Sequence, residues 1–158
     1  MLAAVRIPSG LLKVVKEVLR HLLRRPVVGI AAAARTPDGR LLLIRRGDSG
    51  QWALPGGTLE WGEQLRAAIT REVWEETGAR VLSLGEVLGV YSAPERDPRF
   101  HAVTIVVAAT VSEPDAARVN PVEVLEVGLF RDAELPHDYS HGMADMVQNA
   151  ASKTAVWE

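Results

Sequence analysis

The 158-residue chain contains no cysteine. Disulfide staples, thiolate nucleophiles and zinc–thiolate centres are thereby excluded, and the composition suits a cytoplasmic protein. It also lacks any apolar run of the roughly 20 residues needed to span a bilayer. The nearest stretch, Leu11 to Leu23, is interrupted by Lys13, Lys16, Glu17 and Arg20, which also breaks the apolar core a signal peptide requires. Excess charge of one sign is missing too. With 18 Lys and Arg against 20 Asp and Glu, the net charge of −2 supplies no basic field for DNA or RNA. A small anionic partner remains open. There is no internal repeat and no low-complexity linker, and the length fits one domain with a sizeable core.

The first 25 residues stand apart. SGLLKVVKEVLRHLLRR, residues 9–25, reads as a basic amphipathic helix, with Ser9 as N-cap and Pro26 as its stop. Leu11, Val15, Val18 and Leu22 form its apolar stripe. Such a stripe packs on its own domain or on a twin subunit as a homodimer contact; a membrane surface or a targeting role are the alternatives.

From residue 26 to 158 the pattern is that of one layered domain. Val27 to Ala34 and Leu41 to Ile44 read as strands joined at Thr36-Pro37-Asp38-Gly39, a hairpin. Residues 50–62 form a glycine-rich loop with short extended pieces, and Glu63 to Thr77 a helix ended by Gly78. Val81 to Tyr91 is extended, Ala102 to Val111 reads as a strand buried on both faces, and Val122 to Phe130 as another strand. Tyr139 to Ala151 reads as a terminal helix. This order predicts an α/β or α+β fold.

The informative segment is the helix at 63–77. Leu65, Ala68, Ile69 and Val73 share one stripe, and Glu72 and Glu76 continue it, with Glu75 at its edge. Carboxylates on a burying face repel one another, lose hydration and oppose the helix dipole at its C-terminal end. Divalent cations would offset all three penalties, and hard oxygen donors suit Mg²⁺ or Mn²⁺. The alternative is a solvated acidic face with Arg71 paired to Glu75. The preceding Pro55-Gly56-Gly57, which gives a backbone shape other residues disfavour, and the nearby Glu60 and Glu63 favour the metal reading.

From Gly57 to Ala79 the chain reads GTLEWGEQLRAAITREVWEETGA, which resembles the Nudix box. Gly57, Glu63, Arg71-Glu72-Val73, Glu75-Glu76 and Gly78 fall at the family's spacing; Ala79 replaces a larger aliphatic residue at a packing position. Trp52 to Gly57 and Glu126 to Phe130 extend the likeness. The resemblance implies an α/β/α sandwich with a mixed β-sheet, to which the N-terminal helix is an addition. It also implies metal-dependent hydrolysis of a phosphoanhydride bond in a nucleoside diphosphate derivative.

Carried onto this chain, it makes Glu72, Glu75 and Glu76 the metal carboxylates and the Gly56 carbonyl a further ligand. Glu63 becomes an additional or supporting ligand, and Arg71 orients a carboxylate. The general base falls to Glu76, Glu75 or Glu123, with Glu126 second to Glu123. The loop at 91–99 resembles that of ADP-ribose pyrophosphatase-like members. Arg96 and Arg99 are thus phosphate candidates, or pair with Asp97 on the surface. Trp52 is a candidate for base stacking or for the core, and Glu60 a further substrate contact. His137 and His141 read as surface residues, His101 as a lesser phosphate candidate and His21 as solvated. ADP-ribose or a nucleoside diphosphate sugar is the preferred substrate. Dinucleoside polyphosphates, nucleoside triphosphates and RNA 5′ ends are alternatives, as is a nucleotide-sensing regulator without turnover.

Overall fold

The computed structural model describes residues 13–19, 25–152 and 154–158. Helix α1 is seen at residues 13–19, where every side chain is exposed. The expected stripe therefore finds no cover there: Val15 and Val18 face solvent, as do Val14 and Leu19. The Ser9 cap, His21 and the flanks of this helix lie outside the described residues. Among the described residues no helix is long and apolar enough to cross a membrane.

The remaining chain builds an eight-stranded mixed sheet between two helices. The strands are β1 (Val27–Arg35), β2 (Leu41–Arg46), β3 (Trp52–Ala53), β4 (Gly56–Thr58), β5 (Val81–Tyr91), β6 (Ala102–Val111), β7 (Val124–Phe130) and β8 (Val156–Trp157). Helix α2 spans Leu65–Thr77 and α3 spans Ala144–Ser152. The main order is β3-β2-β1-β6-β5-β8, with β4 added to β1 and β7 to β2. Strand β1 runs parallel to β6 in unbroken register from Val27↔Ala102 to Arg35↔Thr110.

Both faces of β1 are buried, which is why its sequence is continuously apolar. Ile30, Ala32 and Ala34 pack with Ala68, Ile69 and Val73 of α2. Ala31 and Ala33 pack on the other side with Met146, Val147 and Ala150 of α3. Strand β6 divides likewise, Val107, Ala109 and Val111 toward α2 and Val106 toward α3. The sequence expectation of burial on both faces is met, and the result is an α/β/α sandwich.

The expected hairpin of β1 and β2 is corrected. The two strands pair only beside their turn, at Arg35↔Leu41, and then separate. Strand β4 takes up the vacated edge of β1, pairing Gly29↔Thr58, Ile30↔Gly57 and Ala31↔Gly56. Strand β2 turns to β7 and β3 instead. The sheet forks here, and the fork depends on glycine: a Cβ on Gly56 would collide with the Ile30 carbonyl oxygen.

Several boundaries also move. Helix α2 begins at Leu65, two residues later than expected, because Gly62 takes φ +82° and Glu63 N–H closes a turn on the Glu60 carbonyl. Its end is as expected: Gly78, at φ +66°, donates its N–H to the Trp74 carbonyl at 2.9 Å. Helix α3 begins at Ala144 rather than Tyr139, since Ser140 N–H bonds the Trp52 carbonyl and Gly142 turns the chain at φ +67°. Strand β8, pairing parallel with β5 at Gly89 and Val90, has no counterpart in the sequence expectations.

Candidate active site

Helix α2 delivers Glu72 and Glu76 to the fork of the sheet, one turn apart on the same face. The Glu76 carboxylate accepts the Gly56 N–H at 2.7 Å. Burial pushes the Glu76 carboxyl up to about 8, helped by the negative charges of Glu72 and Glu123 and resisted by the Gly56 hydrogen bond and Arg46. Glu72 lies against Gly57, where an added Cβ would come within 2.7 Å of the carboxylate carbon. A side chain at 57 would therefore push the Glu72 carboxylate from its present position.

Arg71 organises the acids around it. Its guanidinium grips Glu63 through Nε at 3.0 Å and Nη2 at 2.9 Å, and reaches Glu72 at 2.9 Å and Glu75 at 3.2 Å through Nη1. These bonds hold the Glu63 carboxyl below the usual range and keep Arg71 fully charged. Arg71, expected to orient a carboxylate, bonds three of them. Its partner Glu63 serves as the brace, and Glu60 contributes only its backbone N–H to the Glu63 carboxylate at 3.2 Å.

Glu72, Glu76 and Glu123 line one cavity of about 320 Å³, together with Arg46, Asp48, Gly56, Gly57 and Val122. Glu123 arrives from across the fold, in a turn where the N–H groups of Glu123 and Val124 both bond the Asn120 carbonyl. That turn delays β7 to Val124 and leaves Glu123 free of the strand. Glu75 does not line this cavity; its side chain is 56 % exposed and held by Arg71. Glu126 points away as well, 3.7 Å from Arg45.

Among the described residues no three acidic or histidine side chains yet converge on one point. Glu72 is turned to Arg71 and Glu76 to the Gly56 N–H. The donor set nonetheless fits a hard dication: besides Asp48, which is paired to Arg46, three glutamates share a small cavity, and Glu76 is desolvated and repelled by Glu72 and Glu123.

A second cavity of about 250 Å³ adjoins the first, sharing Arg46, Gly56 and Gly57. Arg96, Arg99, Phe100, His141, Met143 and Met146 form much of its wall. Arg99 binds Asp97 at 2.7 Å and Asp48 at 3.0 Å, so it is restrained by neighbouring carboxylates but half exposed. Arg96 is held more firmly, by Asp145 and Glu158, and its guanidinium lies 4.6 Å from the Tyr91 ring centre. Its expected phosphate-binding role meets a fork already occupied by two carboxylates.

Trp52 is not presented to either cavity. It packs edge-to-face on Phe130, with ring centres 5.0 Å apart, as part of the core beside α3. His101 is bonded to the Ser92 carbonyl through Nε2 at 2.9 Å. His141, expected at the surface, lines the second cavity, while His137 borders a separate groove beside α3.

Arg46 and Asp48 were not anticipated from sequence. A register shift between Arg45 and Arg46 in the β2–β7 pairing places Arg46 at the junction of both cavities. Both Asp48 oxygens accept from it, Oδ1 from Nε at 2.9 Å and Oδ2 from Nη2 at 2.8 Å, and this pairing holds the Asp48 carboxyl well below the usual range. Consecutive arginines at a strand end followed by an acid were the only available signal.

Residues 23–150 match the NUDIX domain. The chain belongs to the Nudix family. It is 51 % identical over 69 residues to a MutT-like protein of Streptomyces ambofaciens, covering 44 % of each chain. It is 47 % identical over 72 residues to an ADP-ribose pyrophosphatase of Methanocaldococcus jannaschii, covering 44 % of this chain and 42 % of that one. The matched region thus spans less than half the length of these two curated relatives. The solved MutT NUDIX hydrolase of Burkholderia pseudomallei superposes with a TM-score of 0.68 at 31 % identity, covering 80 % of this chain and 98 % of that chain.

Proposed function

We propose that this Nudix protein hydrolyses the phosphoanhydride bond of ADP-ribose or a related nucleoside diphosphate sugar, releasing two monophosphates. The observation that carries the reading is the union of an acid-lined cavity with a second cavity of arginines and apolar side chains, joined at Arg46, Gly56 and Gly57. A diphosphate at that junction places its bridge beside the acids and its nucleoside or sugar in the neighbouring cleft. The likeness to the archaeal ADP-ribose pyrophosphatase supports the substrate class.

Glu72, Glu76 and Glu123 would hold Mg²⁺ or Mn²⁺. Bound there, the ion supplies charge neutralisation at the phosphates and a more acidic water. Arg71 fixes the rotamer of Glu72 from behind. Glu123, on a separate turn, would accept the proton of the attacking water. Arg46 faces the bridging phosphates, and Arg99, half exposed at the cleft, can exchange a carboxylate partner for a phosphate. Phe100 and the two methionines offer an apolar surface for a ring. Glu75 keeps Arg71 charged and oriented from the solvent side.

The test is a panel of ADP-ribose, nucleoside diphosphate sugars, dinucleoside polyphosphates and nucleoside triphosphates, assayed with Mg²⁺ and read by product mass. AMP and ribose 5-phosphate from ADP-ribose is the expected outcome. Turnover confined to triphosphates would overturn the substrate class, and full activity in EDTA would overturn the metal requirement.

A further inference from the structure

Arg96 connects segments that are remote in sequence. Its Nη1 and Nη2 bond the two Asp145 oxygens at 2.9 and 2.6 Å, and Nη1 also bonds the Gly142 carbonyl at 3.1 Å. On its other edge Nε lies 3.1 and 3.0 Å from the two Glu158 oxygens, and Nη2 bonds the first of them. Glu158 in turn accepts the N–H groups of Ser92 and Ala93 at 2.8 and 3.0 Å. The flat face of the guanidinium rests on Tyr91, whose hydroxyl accepts Asn149 Nδ2 at 3.2 Å.

The join has little slack. Glycine suits position 142, where the backbone has φ +67° and a Cβ would stand 3.0 Å from the Arg96 carbonyl oxygen. Strand β8 fixes Glu158 by pairing with β5, and the Glu158 N–H bonds the Val90 carbonyl at 3.1 Å. Arg96 therefore welds the loop at 92–99, the turn at 140–143, the start of α3 and the C-terminal strand into one body.

That body carries Arg99, Phe100, His141 and Met143 into the cleft, whereas Asp145 and Glu158 do not line it. We infer that Asp145 and Glu158 are positioning residues: by holding Arg96 between them they lock two separate loops into one wall of the cleft, and so set how tightly the substrate is bound. The inference rests on the proposed reading that the cleft receives the substrate. Glu72, Glu76 and Glu123 lie outside this network, which touches the other cavity through the Arg99–Asp48 pair, so the hydrolytic step should change far less than binding.

Glu158→Gln and Asp145→Asn, compared with the wild-type chain on ADP-ribose in Mg²⁺, test it. Each should raise KM about three- to tenfold, through loss of a preorganised wall, with kcat within about twofold. Hydrogen exchange, which needs no substrate, should quicken together at residues 92–99 and 140–146. Arg96→Lys keeps the charge but lacks the fork and should behave like the other two, whereas Glu158→Asp should recover part of the wild-type KM. Unchanged exchange at 140–146 in Glu158→Gln would overturn the coupling. A lower KM would show that the carboxylates compete with substrate for Arg96, and a kcat loss at constant KM would place them in the chemistry; either overturns the assignment. Should wild type turn over none of the panel, the substrate reading has failed, and exchange alone decides whether the two loops are locked.

Discussion

Replacing Glu76 by glutamine should stabilise the metal-free protein as pH rises. The Glu76 carboxyl lies at about 8 in the folded chain against an ordinary 4.5, chiefly because burial penalises its charge. Below pH 4.5 folded and unfolded chains are both protonated there, and the favourable contribution is complete. Between 4.5 and 8 only the unfolded chain ionises, so stability is lost as pH rises, and above 8 the loss is complete. At about 1.4 kcal/mol per pH unit that interval corresponds to a ceiling of roughly 5 kcal/mol. Dielectric relaxation around a group that keeps some solvent contact brings the expected difference nearer ~2 kcal/mol. Glutamine is neutral throughout and its amide oxygen still accepts the Gly56 N–H, so the hydrogen bond is kept while the charge goes. The assay is urea unfolding followed by tryptophan fluorescence in EDTA at pH 5, 7 and 9. The variant should match wild type at pH 5 and exceed it by ~2 kcal/mol at pH 9. Saturating Mg²⁺ should close the gap by binding folded wild type alone. Parallel stability curves across this range in EDTA would refute the argument that Glu76 is a desolvated acid.

Gly57→Ala should weaken Mg²⁺ binding at least tenfold in a calorimetric titration, because its methyl displaces the Glu72 carboxylate; unchanged affinity would remove Glu72 from the metal set. Arg71→Lys should lower turnover about tenfold or more while the fold persists, since an ammonium cannot brace Glu63, Glu72 and Glu75 together. Wild-type kcat in that variant would contradict the orienting role. Glu123→Gln should reduce kcat by a factor of about 10² or more and Glu75→Gln by under tenfold, in the same steady-state assay. The reverse ranking would move the proton acceptor to Glu75.

The identity of the central helix and its acids was legible because the signals are local. Spacing alone puts Glu72 and Glu76 on the stripe of Ile69 and Val73, and Gly78 marks the helix end by taking a backbone angle other residues avoid. Apolar β-branched runs likewise announced β6 as a strand covered on both sides. Boundaries drifted where a distant partner captured the chain, as when Trp52 took Ser140 and shortened α3. Strand β8, two residues long, carries too little pattern to be seen at all.

By itself, then, the sequence determined which chemistry is available: oxygen donors at helical spacing, glycines that permit close approach, and no thiol. The tertiary structure decided which of those donors meet. It opened the β1–β2 hairpin, brought Glu123 to Glu76 and left Glu75 in solvent. It also gave Arg96 to Asp145 and Glu158, 49 and 62 residues away, instead of leaving it for a phosphate. Spacing along a helix is fixed by backbone geometry, whereas the partner of a long charged side chain depends on which remote segments pack beside it. That second choice is made only when the sheet and helices close around one core.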